Sequence, residues 1–421
     1  MLVQRVRQAE QTVDEGKHGH SVAPAADVGQ PGRPLGISDG RTPVAEVFVA
    51  FLRLGLTSFG GPVAHLGYFR RVFVARRGWL DERAFAEIVA LCSFLPGPTS
   101  SQAGVAIGLR RAGWRGALAA WTGFTLPSAV LMTGFAFAAG SLHGRLATGA
   151  VHGLKLAAVA IVAQAVVAMA RSLTPDWPRR AVALLAAGVV TLGGPLAQVA
   201  AIVAGAAAGL VIGGTVRATP PAEPVDRAHR RVGLAALAVF AGLLAGLPLL
   251  AAATGDRRLA IAAAAYRAGA LVFGGGHVVL PLLSAGFVPR WLSRDTFLAG
   301  YGAAQAMPGP LFTFAAYLGA VAGGVGGAVV ALFAIFAPGL LLLAAASPLW
   351  AGLQRGRARA AIDGVNAAVV GVLAAALVGI GTGAIHGALD VALALAGFAA
   401  LLARAPPWTV VAALAVATPL L

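Results

Sequence analysis

The residues most able to do chemistry in this chain follow a break in a hydrophobic stretch. Leu95-Pro96-Gly97-Pro98 is succeeded by Thr99, Ser100, Ser101 and Gln102. Proline interrupts the helical hydrogen-bond ladder. A helix restarting after Pro98 would present free N–H groups and the positive end of its dipole. The four side chains that follow add hydroxyl and amide donors. Together these groups suit the non-covalent capture of an anion, although the same residues would also serve as ordinary helix caps. A second break, Met307-Pro308-Gly309-Pro310, is followed by Leu311, Phe312, Thr313 and Phe314. Its poorer donor set argues against a symmetric pair of sites.

Charged groups in apolar surroundings extend the candidate set. Arg53 and Arg267 hold equivalent places in two apolar segments, where a charge costs several kcal/mol and is retained for a reason. Paired guanidinium donors would suit a dianion, whereas snorkelling or pairing with Glu46 is the plainer role. Lys155, echoed by Asn366, joins the binding candidates on the same argument. Gly60-Gly61, with nearby Ser58, and Gly274-Gly275 would let helices unwind and backbones approach closely. Glu87 and His277 are the candidates for proton coupling, with pairing to Arg83 the plainer role for Glu87. His65 and His277 flank the glycine turns and titrate in a useful range. Neither has neighbours at metal-ligand spacing, and Cys92 is the only cysteine, so no metal site is expected. No cofactor and no nucleotide loop are implied.

The elements that must position these residues are membrane helices. The 421 residues are 58% hydrophobic and 11% charged, with a mean hydropathy of +0.81. Repeated apolar runs of about 20 residues argue an all-α polytopic protein in a lipid bilayer. The net charge is +16. In residues 1–43, Arg5, Arg7, Lys17, Arg33 and Arg41 are balanced by Glu10, Asp14, Glu15, Asp27 and Asp39. The excess therefore lies between the spans, which disfavours nucleic acid as a partner. Trp79 and Trp291, at segment ends, read as interfacial anchors.

An internal repeat sets the organisation. Arg53 through Gly61 matches Arg267 through Gly275, the Pro-Gly-Pro breaks match, Pro127 matches Pro338, and Gly153 matches Gly364. Residues 1–43 read as a disordered cytoplasmic tail and 44–216 as the first repeat. Residues 217–258 read as a cytoplasmic linker with one unpaired span, and 259–421 as the second repeat. Each repeat has about six hydrophobic segments, some Pro/Gly-broken. The odd span turns the second repeat upside down, and basic loops at 70–83, 110–115 and 355–359 agree with that inversion. Strong basic charge on both sides of residues 84–109 favours a re-entrant hairpin there.

Phe59-Gly60-Gly61-Pro62, Gly78-Trp79-Leu80 and Leu95-Pro96-Gly97-Pro98 with Gln102, together with their second-half echoes, resemble the chromate ion transporter family in its long two-domain form. The resemblance covers residues 44–421. It implies a multi-pass protein of the bacterial inner membrane, not an enzyme, that exports chromate, usually with proton coupling, and confers resistance. Sulfate or another oxyanion is the alternative substrate, and a passive anion channel a further one. A homodimer is compatible with the sequence. Phe273-Gly274-Gly275-Gly276-His277 departs from the pattern by lacking the proline.

Overall fold

Proline and glycine end most of the helices near the centre of this fold. The computed structural model describes residues 42–141, 144–193, 196–213, 227–347 and 356–420. The expected tail, up to residue 41, and the linker before residue 227 lie outside the described residues, as does Arg355 of the expected basic loop. The described residues form helices and no strand.

In the first half, α1 (Val44–Thr57) unwinds at residues 58–60, and α2 (Gly61–Phe69) leads away through a π-helical turn at Arg70–Arg76. α3 (Glu82–Phe94) enters the first Pro-Gly-Pro break and α4 (Thr99–Ser141) leaves it. α4 is two limbs, because Ala112 and Gly113 are not helical. Gly108 and Gly116 flank this point, and a Cβ on either would lie 2.3 or 2.2 Å from the other's carbonyl oxygen. Such closeness means that the chain reverses.

The ends of these hairpins gather in one place. Arg111 Nε donates to Thr42 Oγ1 at 2.9 Å, and Arg77 pairs with Glu46 at 2.6 Å. Both guanidinium groups lie over the Trp79 ring, Arg77 at 5.1 Å and Arg111 at 5.6 Å. Both hairpins therefore begin and finish at the same end. Trp79 corrects its sequence reading: it is buried, stacked on Phe73, and cross-links the hairpin ends instead of floating at an interface.

The remaining first-half helices are α5 (Arg145–Leu173), α6 (Trp177–Leu192) and α7 (Ala197–Ile212), followed by α8 (Arg227–Thr254). α9 (Arg257–Ala270) unwinds at residues 271–275 before a 3-10 turn (Gly276–Val278) and α10 (Val279–Phe287). α11 (Arg294–Ala306) enters the second break, and a 3-10 turn (Leu311–Thr313) and α12 (Phe314–Ala346) leave it. α12 reverses at Gly323 and Gly324, where Gly319 and Gly327 face each other as Gly108 and Gly116 do. Tyr317 Oη donates to Thr296 O at 2.9 Å, so α11 and the first limb of α12 also form a returning hairpin. α13 (Gly356–Ala384), α14 (Ala388–Leu402) and α15 (Pro407–Ala417) complete the chain.

The second limbs of α4 and α12 run in opposite directions. Trp121, near the α4 reversal, packs on Phe333 and Phe336, at 5.2 and 5.6 Å between ring centres. Phe135, at the far end of α4, packs on Tyr317 in the first limb of α12, at 5.7 Å. The two reversals thus lie at opposite ends of the pair. Asp363 is paired with Arg359, four residues earlier on the same helix, and also with Arg179. Five described helices are long and apolar enough to cross a bilayer, which makes this a multi-pass membrane protein. The apolar stretch of α8 is exposed or half-buried within the fold, as suits contact with lipid tails on one side and packing of Phe240 on Tyr266 on the other.

Matched glycines seat the outer helices. A Cβ at Gly153 of α5 would lie 2.2 Å from Leu414 O in α15, and one at Gly364 of α13 would lie 2.1 Å from Gly205 O in α7. Helices in lipid associate through such small-residue contacts. Gly364→Ala should therefore destabilise the protein in detergent by about 1–3 kcal/mol through overpacking. Gly379→Ala, on the same helix with open space around it, should leave the melting temperature unchanged. Equal melting of the two variants would contradict this packing.

Candidate functional site

Each break meets the opposite half of the chain. Gly97 N–H donates to Val272 O at 2.8 Å, and Gly309 N–H donates to Ser58 O at 2.9 Å. Ser58 and Val272 are corresponding residues just past α1 and α9. Each break thus satisfies the unwound end of the opposite half's first helix. Gly97 sits at φ +117 and Gly309 at φ +96, where side chains are strained. The space is also closed, since a Cβ at Gly97 would be 3.0 Å from Gly339 Cα, and one at Gly309 3.0 Å from Ser128 Cβ.

Side chains repeat this crossing. Gln102 Nε2 donates to Pro96 O at 3.1 Å and to Gly339 O at 2.9 Å. Thr313 Oγ1 donates to Pro310 O at 2.7 Å and lies 2.6 Å from Ser128 Oγ. Ser128 and Gly339 each follow the proline in the middle of a long limb, Pro127 or Pro338.

The first break carries the polar chemistry. Ser58, His65, Ser100, Ser101 and Gln102 are all buried. His65 Nδ1 lies 3.3 Å from Ser100 Oγ, and the His65 ring packs against Phe124. The first turn of α4 begins with Gln102 N–H donating to Pro98 O, which leaves the N–H groups of Thr99, Ser100 and Ser101 outside the helical ladder. Ser58 Oγ, His65 Nε2, Ser101 Oγ, Gln102 Oε1, Trp121 Nε1 and Thr125 Oγ1 are buried with no hydrogen-bond partner. Each such group costs roughly 1–3 kcal/mol when left unpaired in an apolar interior. Six of them beside two chain breaks, on segments contacting one another, form a place suited to a polar guest. Around the second break, Leu311, Phe312 and Phe314 fill the corresponding space with apolar side chains, and Gln305 Nε2, just before that break, is the one unpartnered buried side-chain polar atom there among the described residues.

Sequence reasoning did not single out Trp121 and Thr125. Their spacing with Ser128 puts all three on one face of α4, next to Pro127, which was the available signal.

The other candidates lie elsewhere. Arg53 stands on an exposed face of α1 with Val49 and Leu56, and Glu46, its suggested partner, is taken by Arg77. Arg267 is exposed and lines a crevice with Gln198, Leu271 and Leu282. Lys155 is buried, with Nζ 3.1 Å from Asp295 of α11, while its counterpart Asn366 faces Gly274. Glu87 is in an exposed pair with Arg83 at 3.3 Å. His277 Nδ1 lies 2.7 Å from Tyr301 Oη. Gly60, Gly61, Gly274 and Gly275 all have positive φ at the unwound ends, and Pro96, Pro98, Pro308 and Pro310 are buried.

Gln102→Ala would strand two carbonyl acceptors at the crossing. It should lower stability in detergent by about 1–3 kcal/mol, read as a melting shift against wild type. Gln102→Glu should fare no better, because it replaces the amide donor with an acceptor. An unshifted melting curve for both would show that these bonds carry no weight.

The chromate transporter family model matches residues 45–210 and 259–418. Over 347 residues the chain is 30% identical to the chromate transport protein of Pseudomonas aeruginosa, covering 78% of this chain and 79% of that protein. It is 28% identical to the probable chromate transport protein of Synechococcus elongatus, covering 80% of this chain and 84% of the relative. It is likewise 28% identical to the chromate transport protein of Cupriavidus metallidurans, covering 79% and 81%. No solved structure matches the chain. Matched along both halves and by full-length relatives, the chain belongs to the chromate transporter family.

Proposed function

We propose that this protein exports chromate from the bacterial cytoplasm across the inner membrane, through a site at the first Pro-Gly-Pro break. The observation that carries the reading is the set of six unpartnered buried polar atoms beside the free N-terminal turn of α4. Chromate is a tetrahedral dianion with oxygen acceptors on every side. Backbone N–H groups at a helix start and neighbouring hydroxyls supply the matching donors. The relatives named for chromate transport support that substrate. No covalent step is needed, and the reading is transport, not catalysis.

In this reading the halves are inverted repeats that rock around the shared breaks. The opposed reversals of α4 and α12, and the reciprocal Gly97 and Gly309 bonds, support the inversion. Arg53 and Arg267 line water-filled approaches to the site, since an exposed guanidinium facing hydrocarbon would cost several kcal/mol. Export of a dianion is also driven by an inside-negative potential, at about 2.3 kcal/mol per charge per 100 mV. Chromate resistance would follow from such export.

Inside-out membrane vesicles energised to a positive interior should accumulate chromate, and excess sulfate should not prevent it. No chromate movement with protein present overturns the substrate; complete displacement by sulfate reassigns the site to that anion. Cysteine labelling tests the inversion. Cys92 is buried, so the wild type provides a silent background. Arg53→Cys should react with an impermeant thiol reagent from the cytoplasmic face, and Arg267→Cys from the opposite face. Labelling of both from one face would refute inverted halves.

A further inference from the structure

We infer that His65 is the group through which a proton is linked to anion binding at the first break. The inference rests on the reading above and adds a residue that the charged candidates, Glu87 and His277, do not displace. Glu87 is held by Arg83 on an exposed face, and His277 is bonded to Tyr301 in the second half. His65 instead lies at the crossing itself. It is 1% exposed, its Nδ1 faces Ser100 in the first turn of α4, and its Nε2 has no partner. The main chain of Ser58 also meets its ring, and the Ser58 carbonyl accepts the Gly309 N–H. One imidazole therefore touches the donor turn and the unwound end that holds the other half's break.

The groups packed around His65 are neutral. Ser58 comes from α1's end, and Ser100 and Phe124 come from the two limbs of α4. The charged groups on those elements lie away from the ring. On α1, Glu46 is paired with Arg77 and Arg53 faces outward. On α4, Arg110, Arg111 and Arg115 lie at the reversal, and on its own element Arg70 pairs with Glu82. A dianion at the donor turn would thus be the dominant charge near the imidazole. It favours the imidazolium, which takes one proton from water, keeps Ser100 on Nδ1 and donates Nε2–H to an anion oxygen. Linkage is reciprocal: if the anion promotes protonation, protonation tightens the anion by the same factor. Affinity therefore rises as pH falls.

The test compares purified wild type with His65→Gln, which keeps a neutral polar group. Chromate affinity is titrated between about pH 6 and 8, and the ratio of the two affinities cancels chromate's own protonation. The ratio should rise toward lower pH by up to about tenfold per unit. A flat ratio overturns the inference. A pH-indicator dye reads the same linkage in wild type alone, as proton uptake when chromate is added, corrected for free chromate. No uptake, or release, overturns it even if the variant fails to fold. Absence of chromate binding to wild type would sink the transport reading, and this inference with it.

Discussion

Two glycine N–H groups, each donating to the opposite half, hold the centre of this fold together. A bilayer offers no water to a freed backbone group, so an unwound segment must find its partner within the protein. Here Gly97 serves Val272 and Gly309 serves Ser58. Both glycines need a positive φ and a gap with no room for a Cβ. The demand propagates outward: the breaks can meet only if the hairpins carrying them return, and that requires the glycine-lined reversals of α4 and α12. Gln102 and Thr313 then fasten the same crossing with side chains.

Much of this was legible in the sequence because it is written in backbone-breaking residues. The Pro-Gly-Pro breaks, the glycine pairs and the mid-limb prolines each impose a local geometry whatever surrounds them. The basic residues around 84–109 suggested a re-entrant hairpin, and α3 with the first limb of α4 has the geometry of a chain that turns back on itself. The reversals at Gly113 and Gly324 fall where the apolar segments already end in the sequence, in the basic loop 110–115 and in the glycine-rich stretch 323–327. Trp79 looked like an anchor until Arg77 and Arg111 were found over its ring. The candidate site was half legible. Residues 99–102 declared themselves by type and position. Trp121, Thr125 and the bonding of His65 did not, because a missing partner is a property of three dimensions. Glu46 was a plausible mate for Arg53 by sequence, and only packing gives it to Arg77.

The two breaks share a backbone design but not a side-chain one. Ser100, Ser101 and Gln102 surround the first with polar atoms, while Leu311, Phe312 and Phe314 seal the second. A repeated backbone scaffold can therefore carry two different side-chain environments. Thr313 keeps one hydroxyl there, spent on Ser128 and Pro310.

The reciprocal bonds at Gly97 and Gly309 also bear on movement. Two groups that grip each other near the centre of a pair are displaced least when the members tilt. In the proposed transport cycle the crossing would act as a fulcrum, with the hairpin ends at Trp79 and at Gly324 sweeping the widest arcs. A guest held beside such a point would travel little itself while the walls around it changed sides.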